Sequence, residues 1–280
     1  MTVAGSKMIE SSVGPRAGTR YLSTFSDRFR IAGCPVDQSS MDNAVSELCR
    51  RVDSNVKTHV IFVNAAKVVQ YRDNQVLRHV MDRAQVLLAD GMPVVWLSHL
   101  KGTPLCERVA GVDLMVRMIE ASAHKGYRVY FLGGRPAVVS KVANYFKERY
   151  PTLQVAGYRD GYFSPSEEPI INLEINRSRA DIVLIGMSTP QKELWADRNI
   201  DKLHATVCQG VGGGFDVIAG VAKRAPNWMQ RVGLEWFFRL IQEPGRMWKR
   251  YLFSNTSFIW LALCDLVFRS VQMHDPVSSK

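Results

Sequence analysis

The stretch RVYFLGGRPAVVSKVANYFKERYPTLQVAG, residues 128–157, decides the fold. RVYFL (128–132) is apolar after its first residue, without the polar alternation of a half-exposed strand, so it reads as a strand buried on both faces. Gly133-Gly134 then turns the chain. Val138, Val142, Tyr145 and Phe146 recur at three- and four-residue steps, which predicts an amphipathic helix over 137–150. LQVAG (153–157) returns as a strand. Strand, helix and strand in this order form a unit of a parallel sheet.

The same alternation extends in both directions. FRIAG (29–33), HVIFV (59–63) and QVLLA (85–89) precede the stretch, and DIVLIG (181–186) and ATVCQG (205–210) follow it. Helices are predicted between them, among others over 41–52, 112–124 and 191–203. There is no internal repeat and no low-complexity tract. The class is α/β around a mainly parallel sheet, expected over residues 28–222. Residues 1–27 lack an apolar core segment and are expected as a disordered lead-in. Residues 269–280 are expected as a flexible tail.

Beyond Ala222 the strand patterns stop. KRAPNWMQRVGLEWFFRLIQEPGRMWKRYL carries seven basic residues between Lys223 and Tyr251, opposed only by Glu235 and Glu243 and interleaved with aromatics. It reads as short helices, interrupted at Pro244-Gly245, with Pro244 suited to the first turn of the second. The appendage is expected over 223–268. Arg246, Lys249 and Arg250 would share one helical face. A basic, aromatic-rich segment suits an anionic membrane surface, where each cation contributes about 1 kcal/mol. It also suits single-stranded nucleic acid, and a solvated charged face is the plain alternative.

Charge points the same way. Lys and Arg number 36 against 26 Asp and Glu, a formal net charge of +10. An anionic partner (nucleic acid, acidic lipid or phosphorylated substrate) is one reading, and solubility is the other. Cysteines 34, 49, 106, 208 and 264 are odd in number, widely spaced and without a C-x-x-C pair, which speaks against a disulfide framework or zinc knuckle. No secretory signal is visible and no run reaches the roughly 18 apolar residues of a spanning helix. The nearest, Phe258 to Phe268, contains Asp265. A cytoplasmic protein that lies on a membrane is expected.

Ligands of open parallel sheets bind beyond the carboxyl ends of the strands. Asn64, Asp90, Gly133-Gly134, the segment 186–193 and Gly210–Asp216 follow strands and are the candidates. Gly133-Gly134 lets backbone N–H groups approach a phosphate, or makes a tight turn. Gly212, Gly213 and Gly214 in G-V-G-G-G-F-D (210–216) can wrap a ligand, or mark a close helix–strand crossing. Asp90, in A-D-G, is placed to take a proton from a hydroxyl, or to form an Asx-turn. Asn64 either bonds a substrate or caps the next helix. No phosphate-binding G-x-x-x-x-G-K-[ST] loop and no G-x-G-x-x-G fingerprint with its acidic partner occurs, so ATP hydrolysis of that type and NAD binding fit poorly. There is no D-x-D pair and no i,i+4 histidine pair, so neither a metal nor another cofactor is expected.

These residues resemble the WecG/TagA/CpsF glycosyltransferases, glycosyltransferase family 26, from about Phe29 to about Leu263. A-D-G-M-P-V-V-W (89–96), E-R-V-A-G-V-D-L (107–114), V-G-G-G-F-D-V-I-A-G (211–220), K-R-A-P-N-W-M-Q-R-V-G-L-E-W (223–236) and R-L-I-Q-E-P-G-R (239–246) carry the likeness. The resemblance implies a Rossmann-like sheet that binds a UDP-sugar without metal and transfers the sugar with inversion to a sugar on undecaprenyl diphosphate. It implies Asp90 as general base, Asn64 as a substrate-positioning residue and Arg108 on the same cleft. It implies a basic appendage that docks on the membrane and brings Arg239 and Arg246 to the diphosphate. The family commonly reads P-K-Q-E where this chain has Pro190-Gln191-Lys192-Glu193, so the exchanged Gln191 and Lys192 are a departure. An acidic residue common two positions after the asparagine is Ala66 here, and a third arginine of the appendage falls on Lys249. No nucleic-acid partner is expected on this reading, and homo-oligomers are compatible with it. A basic nucleotide- or RNA-binding module without transferase activity is the alternative.

Overall fold

The computed structural model describes residues 27–242 and 244–272. The lead-in expected over 1–27 lies outside the described residues except for Asp27, and so does the expected tail beyond Gln272.

The described residues open with a hairpin, β1 (Arg28–Ile31) and β2 (Cys34–Asp37), followed by α1 (Met41–Asp53). The sheet begins with β3 (Thr58–Val63), then α2 (Ala65–Asp73), α3 (Gln75–Arg83) and β4 (Val86–Ala89). Next come α4 (Met92–Leu100), α5 (Gly111–Lys125), β5 (Arg128–Gly133) and α6 (Pro136–Arg149). The order continues with β6 (Gln154–Arg159), α7 (Glu168–Arg177), β7 (Ile182–Gly186), α8 (Gln191–Asn199), β8 (Val207–Gly210) and α9 (Gly214–Ile218). The C-terminal part holds α10 (Asn227–Arg231), α11 (Glu235–Gln242) and α12 (Pro244–Gln272).

The main sheet has six parallel strands in the order β4-β3-β8-β7-β5-β6. The chain leaves β3 for one edge and β5 for the other, and β7 and β8 return to fill the middle. The crevice above the carboxyl ends of those central strands is where such a topology places a ligand. Central strands are buried throughout, as in HVIF of β3 and VYFL of β5. Helices cover both faces. On one face, α6 turns Val138, Val142 and Phe146 inward, with the Phe146 ring stacked on Phe131 of β5 at 6.1 Å. Removing a buried ring of this kind costs about 3–5 kcal/mol. Pro136 stands in the first turn of α6, where the missing N–H breaks no helical bond. α5 ends at Gly126, whose φ of 77° is the left-handed cap glycine favours.

Two expectations change. FRIAG is a strand, but of a separate antiparallel hairpin and not of the parallel sheet. Ala32 and Gly33 both take positive φ, 47° and 80°, the geometry of a two-residue hairpin turn. The hairpin is tied to β4 through Asp37, which pairs with Arg28 at 2.6 Å and accepts the Leu87 N–H at 2.8 Å. The second change concerns the appendage. α10 and α11 are short, and Pro244 does open the next helix, but α12 is 29 residues long and packs against α2. Phe258 and Leu261 of its inner face are buried. Asp265, the charge that interrupts the apolar run, pairs with Lys101 at 2.6 Å and accepts the Ala32 N–H at 2.7 Å. No helix among the described residues is long and apolar enough to cross a membrane.

Candidate active site

Two cavities meet at the carboxyl ends of β3 and β4. The larger, about 1240 Å³, runs over the crevice and is lined by polar and glycine residues, among them Lys67, Gly134, Gln191, Lys192, Gly212, Gly213 and Gly214. The smaller, about 570 Å³, lies under the appendage between α4 and α12, with Trp96, Leu97, Phe258, Ile259 and Leu263 in its walls. Asn64 and Asp90 line both.

Each owes its place to a strand end. Asn64 follows β3 and caps α2, its Oδ1 accepting the Lys67 N–H at 3.0 Å, so the capping reading holds while the residue also faces the cavities. Asp90 follows β4, and its N–H reaches the Val63 carbonyl at 2.9 Å, which fixes the backbone beside Asn64. Gly91 permits the approach: a Cβ there would stand 3.2 Å from the Asn64 Cα and Cβ. Arg224 adds a charge nearby. Its bidentate pair with Asp113, at 2.6 and 2.7 Å, raises its pKa, and the charges of Glu235 and Asp90 act in the same direction.

Arg108 lines the smaller cavity, with its guanidinium 3.3 Å from Glu235 of α11 and 3.2 Å from the Gln230 carbonyl. It therefore also fastens the appendage to the α/β body. Gln191 opens α8, where its Oε1 accepts the Ser188 hydroxyl at 2.7 Å. Arg239 and Arg246 stand in α11 and α12, and their side chains lie outside the described residues.

The glycines serve the backbone first. Gly133 has a φ of 121°, and a Cβ there would come within 2.6 Å of Gly186. The N–H groups of Gly134, Gly212 and Gly214 bond to the carbonyls of Gly186, Ile185 and Val211 at 2.9, 3.2 and 3.0 Å. These donors are engaged within the fold, so the loops offer a ligand close approach more than a ring of N–H groups.

Sequence reasoning named the segment 186–193 but missed Lys67 and the buried charged cluster it forms with that segment at the wall of the larger cavity. Lys67 and Lys192 both pair with the buried Glu193 carboxylate, Lys192 at 2.8 Å, and Thr189 Oγ1 accepts from Lys67 at 3.3 Å. Burial alone would raise the Glu193 carboxyl, but the two ammonium groups outweigh it and hold the group at about 2. Tyr162 and Phe163, after β6, also line this cavity and were not singled out. Part of the signal was present: Tyr162 and Phe163 stand just past a strand end, and Lys192 and Glu193 fall in the candidate segment 186–193. Among the described residues, no group of three or more His, Cys, Asp or Glu side chains is placed to hold a metal ion.

Over a parallel α/β sheet, a polar crevice and an apolar groove meet at the Asp90 carboxylate, and comparison with known families puts the chain in the class of the glycosyltransferases. The chain belongs to the glycosyl transferase WecG/TagA/CpsF family, whose model matches residues 29–272. It is similar to an N-acetylglucosaminyldiphosphoundecaprenol N-acetyl-beta-D-mannosaminyltransferase of Bacillus subtilis (strain 168), 35% identical over 173 residues, covering 62% of this chain and 66% of the relative. A protein of the same name from Bacillus spizizenii (strain ATCC 23059 / NRRL B-14472 / W23) is 32% identical over 201 residues, covering 72% and 77%.

Proposed function

We propose that this chain is an inverting, metal-independent hexosyltransferase that moves a sugar from a UDP-sugar to a sugar carried on undecaprenyl diphosphate. The observation that carries the reading is the sharing of Asn64 and Asp90 between a polar cavity and an apolar groove. The relatives' printed names supply the acceptor class and suggest an N-acetylmannosamine-type donor. A glucose-type donor is the other candidate.

In this reading the nucleotide sugar occupies the larger cavity and the acceptor lipid lies in the groove beneath α12. Asp90 takes the proton from the acceptor hydroxyl as its oxygen attacks the anomeric carbon. A new C–O bond forms on the face opposite the leaving group. The bond from the anomeric carbon to the β-phosphate oxygen breaks, and UDP leaves with the electron pair. Asn64 orients the acceptor. Arg239 and Arg246 meet the developing diphosphate charge, with cations in the place a metal ion would take. Residues 223–268 form the membrane-associating part, so the protein works at the cytoplasmic face of the membrane. Exposed apolar residues on α12, among them Phe253, Trp260 and Val267, support that docking.

The test is UDP release from a panel of UDP-sugars in detergent, with and without a polyprenyl-diphosphate-linked sugar. Acceptor-dependent release with one donor is expected, falling about 100- to 10,000-fold in Asp90→Asn with UDP affinity preserved. Full turnover in that variant would remove Asp90 from the base role. RNA binding that weakens with salt, without UDP-sugar affinity, would instead favour a nucleic-acid module.

A further inference from the structure

We propose that Lys192 is a diphosphate-binding residue of the donor site, admitted to it by the glycine run after β8. The inference rests on the reading of the larger cavity as the UDP-sugar site.

Three observations carry it. First, the stem of Lys192 passes under Gly210: a Cβ at that position would stand 3.0 Å from Lys192 Cδ and 3.1 Å from Cε. At Gly212 a Cβ would stand 3.9 Å from both Lys192 Cε and Nζ. Any side chain at residue 210 would press on the lysine, so the glycine there leaves room for it. Second, Lys192 and Gly212 both line the larger cavity, which places the ammonium at its wall. Third, the counter-charge behind it is already shared. Glu193 is 1% exposed and pairs with Lys67 as well as Lys192, so two ammonium groups meet on one carboxylate.

Lys192 also donates to Thr189, and the two ammonium groups and one carboxylate leave this trio with a net positive charge beside the cavity. A diphosphate is an anion this charge attracts, and a charge-assisted contact to it is among the stronger polar interactions available. Lys67 keeps Glu193 neutralised while Lys192 turns to the ligand. This also gives the exchanged Gln191-Lys192 pair a consequence: this chain puts an ammonium where the family pattern puts an amide.

The experiment measures equilibrium binding of UDP and of uridine to the full chain, for the wild type and for Lys192→Met, Lys192→Gln and Lys192→Arg. Methionine keeps the packed stem under Gly210 and removes the ammonium with its contacts to Glu193 and Thr189. Thermal unfolding of each variant reports whether it is folded. UDP affinity is expected to fall about 10- to 100-fold in the Met and Gln variants, with uridine affinity unchanged and with Arg restoring much of the loss. Unchanged UDP affinity in a folded Met or Gln variant overturns the assignment. An equal fall for UDP and uridine also overturns it, because that pattern means a deformed cleft. A wild-type protein that binds neither ligand overturns the donor-site reading itself, and this inference with it.

Discussion

His59 lies in β3 with its imidazole fully enclosed, and the Lys67, Lys192 and Glu193 charges all act on it. Burial, with help from the two lysines and against Glu193, lowers its pKa from 6.5 to about 4. The unfolded chain takes up this proton near pH 6.5, while the folded chain waits until about 4, so acid favours unfolding in that window. Glu193 continues the effect below it. Its folded pKa of about 2 lies under the unfolded 4.5, so the stability it adds is complete above 4.5 and is lost as pH falls toward 2. Urea unfolding should therefore show stability falling from pH 6.5 downward, with a slope of up to about 1.4 kcal/mol per pH unit from each group. In His59→Gln the slope between 6.5 and 4 should flatten while the loss below 4.5 persists. An unaltered slope in that variant would contradict the neutral buried imidazole. At this scale the sequence was readable where a residue's position in the cavities follows from its place on the chain. Asn64 and Asp90 come directly after strands, and both reach the junction of the cavities. The pairing of Lys67 and Lys192 on Glu193 was not readable, because both act from helix turns through long side chains whose aim depends on packing. The engaged N–H groups of Gly134 and Gly212 were equally hidden, since their partners lie on a neighbouring strand.

α12 presents two different faces. Phe258 and Leu261 pack on the body, while Phe253 and Trp260 stand 69% and 65% exposed. A long helix whose outer face keeps large apolar side chains in water is stabilised by an apolar environment that covers it. Replacing Phe253 and Trp260 together with Ser should leave the unfolding midpoint nearly unchanged, because neither side chain is buried. It should weaken sedimentation with anionic liposomes about 10-fold or more, given the apolar area removed from the contact. Binding that survives the double change would place the contact elsewhere, on the basic side chains. The parallel sheet was legible because its strands are apolar throughout and alternate with helical periods. The hairpin was only half legible: FRIAG shows as a strand, but its partner Cys34–Asp37 contains a proline and follows Ala32-Gly33, a turn without the usual Asn or Asp. The length of α12 was obscured by Asp265, which breaks the apolar pattern for a tertiary reason, its pairing with Lys101.

At the scale of the molecule, the question is how a substrate anchored in a membrane meets one dissolved in water. The groove beneath α12 supplies a route. Ile259 and Leu263 are more than half exposed and also line it, so its mouth opens toward the outer apolar face of the helix. Its inner end is at Asp90 and Asn64, where the polar cavity begins. A polyprenyl chain entering from the membrane side would leave its diphosphate and sugar facing Asp90 without drawing the nucleotide into an apolar space. Filling the groove tests this arrangement independently of the chemistry. Ala262 lines it and carries the smallest side chain on that part of α12. In Ala262→Trp the apparent KM for a long-chain lipid acceptor should rise about 10-fold, the equivalent of losing two buried methylenes. UDP affinity should stay the same, because the polar cavity is untouched, and an acceptor with a short alkyl chain should be affected less. A variant in which long and short acceptors suffer equally, or in which UDP affinity falls too, would mean that the groove is not where the lipid runs.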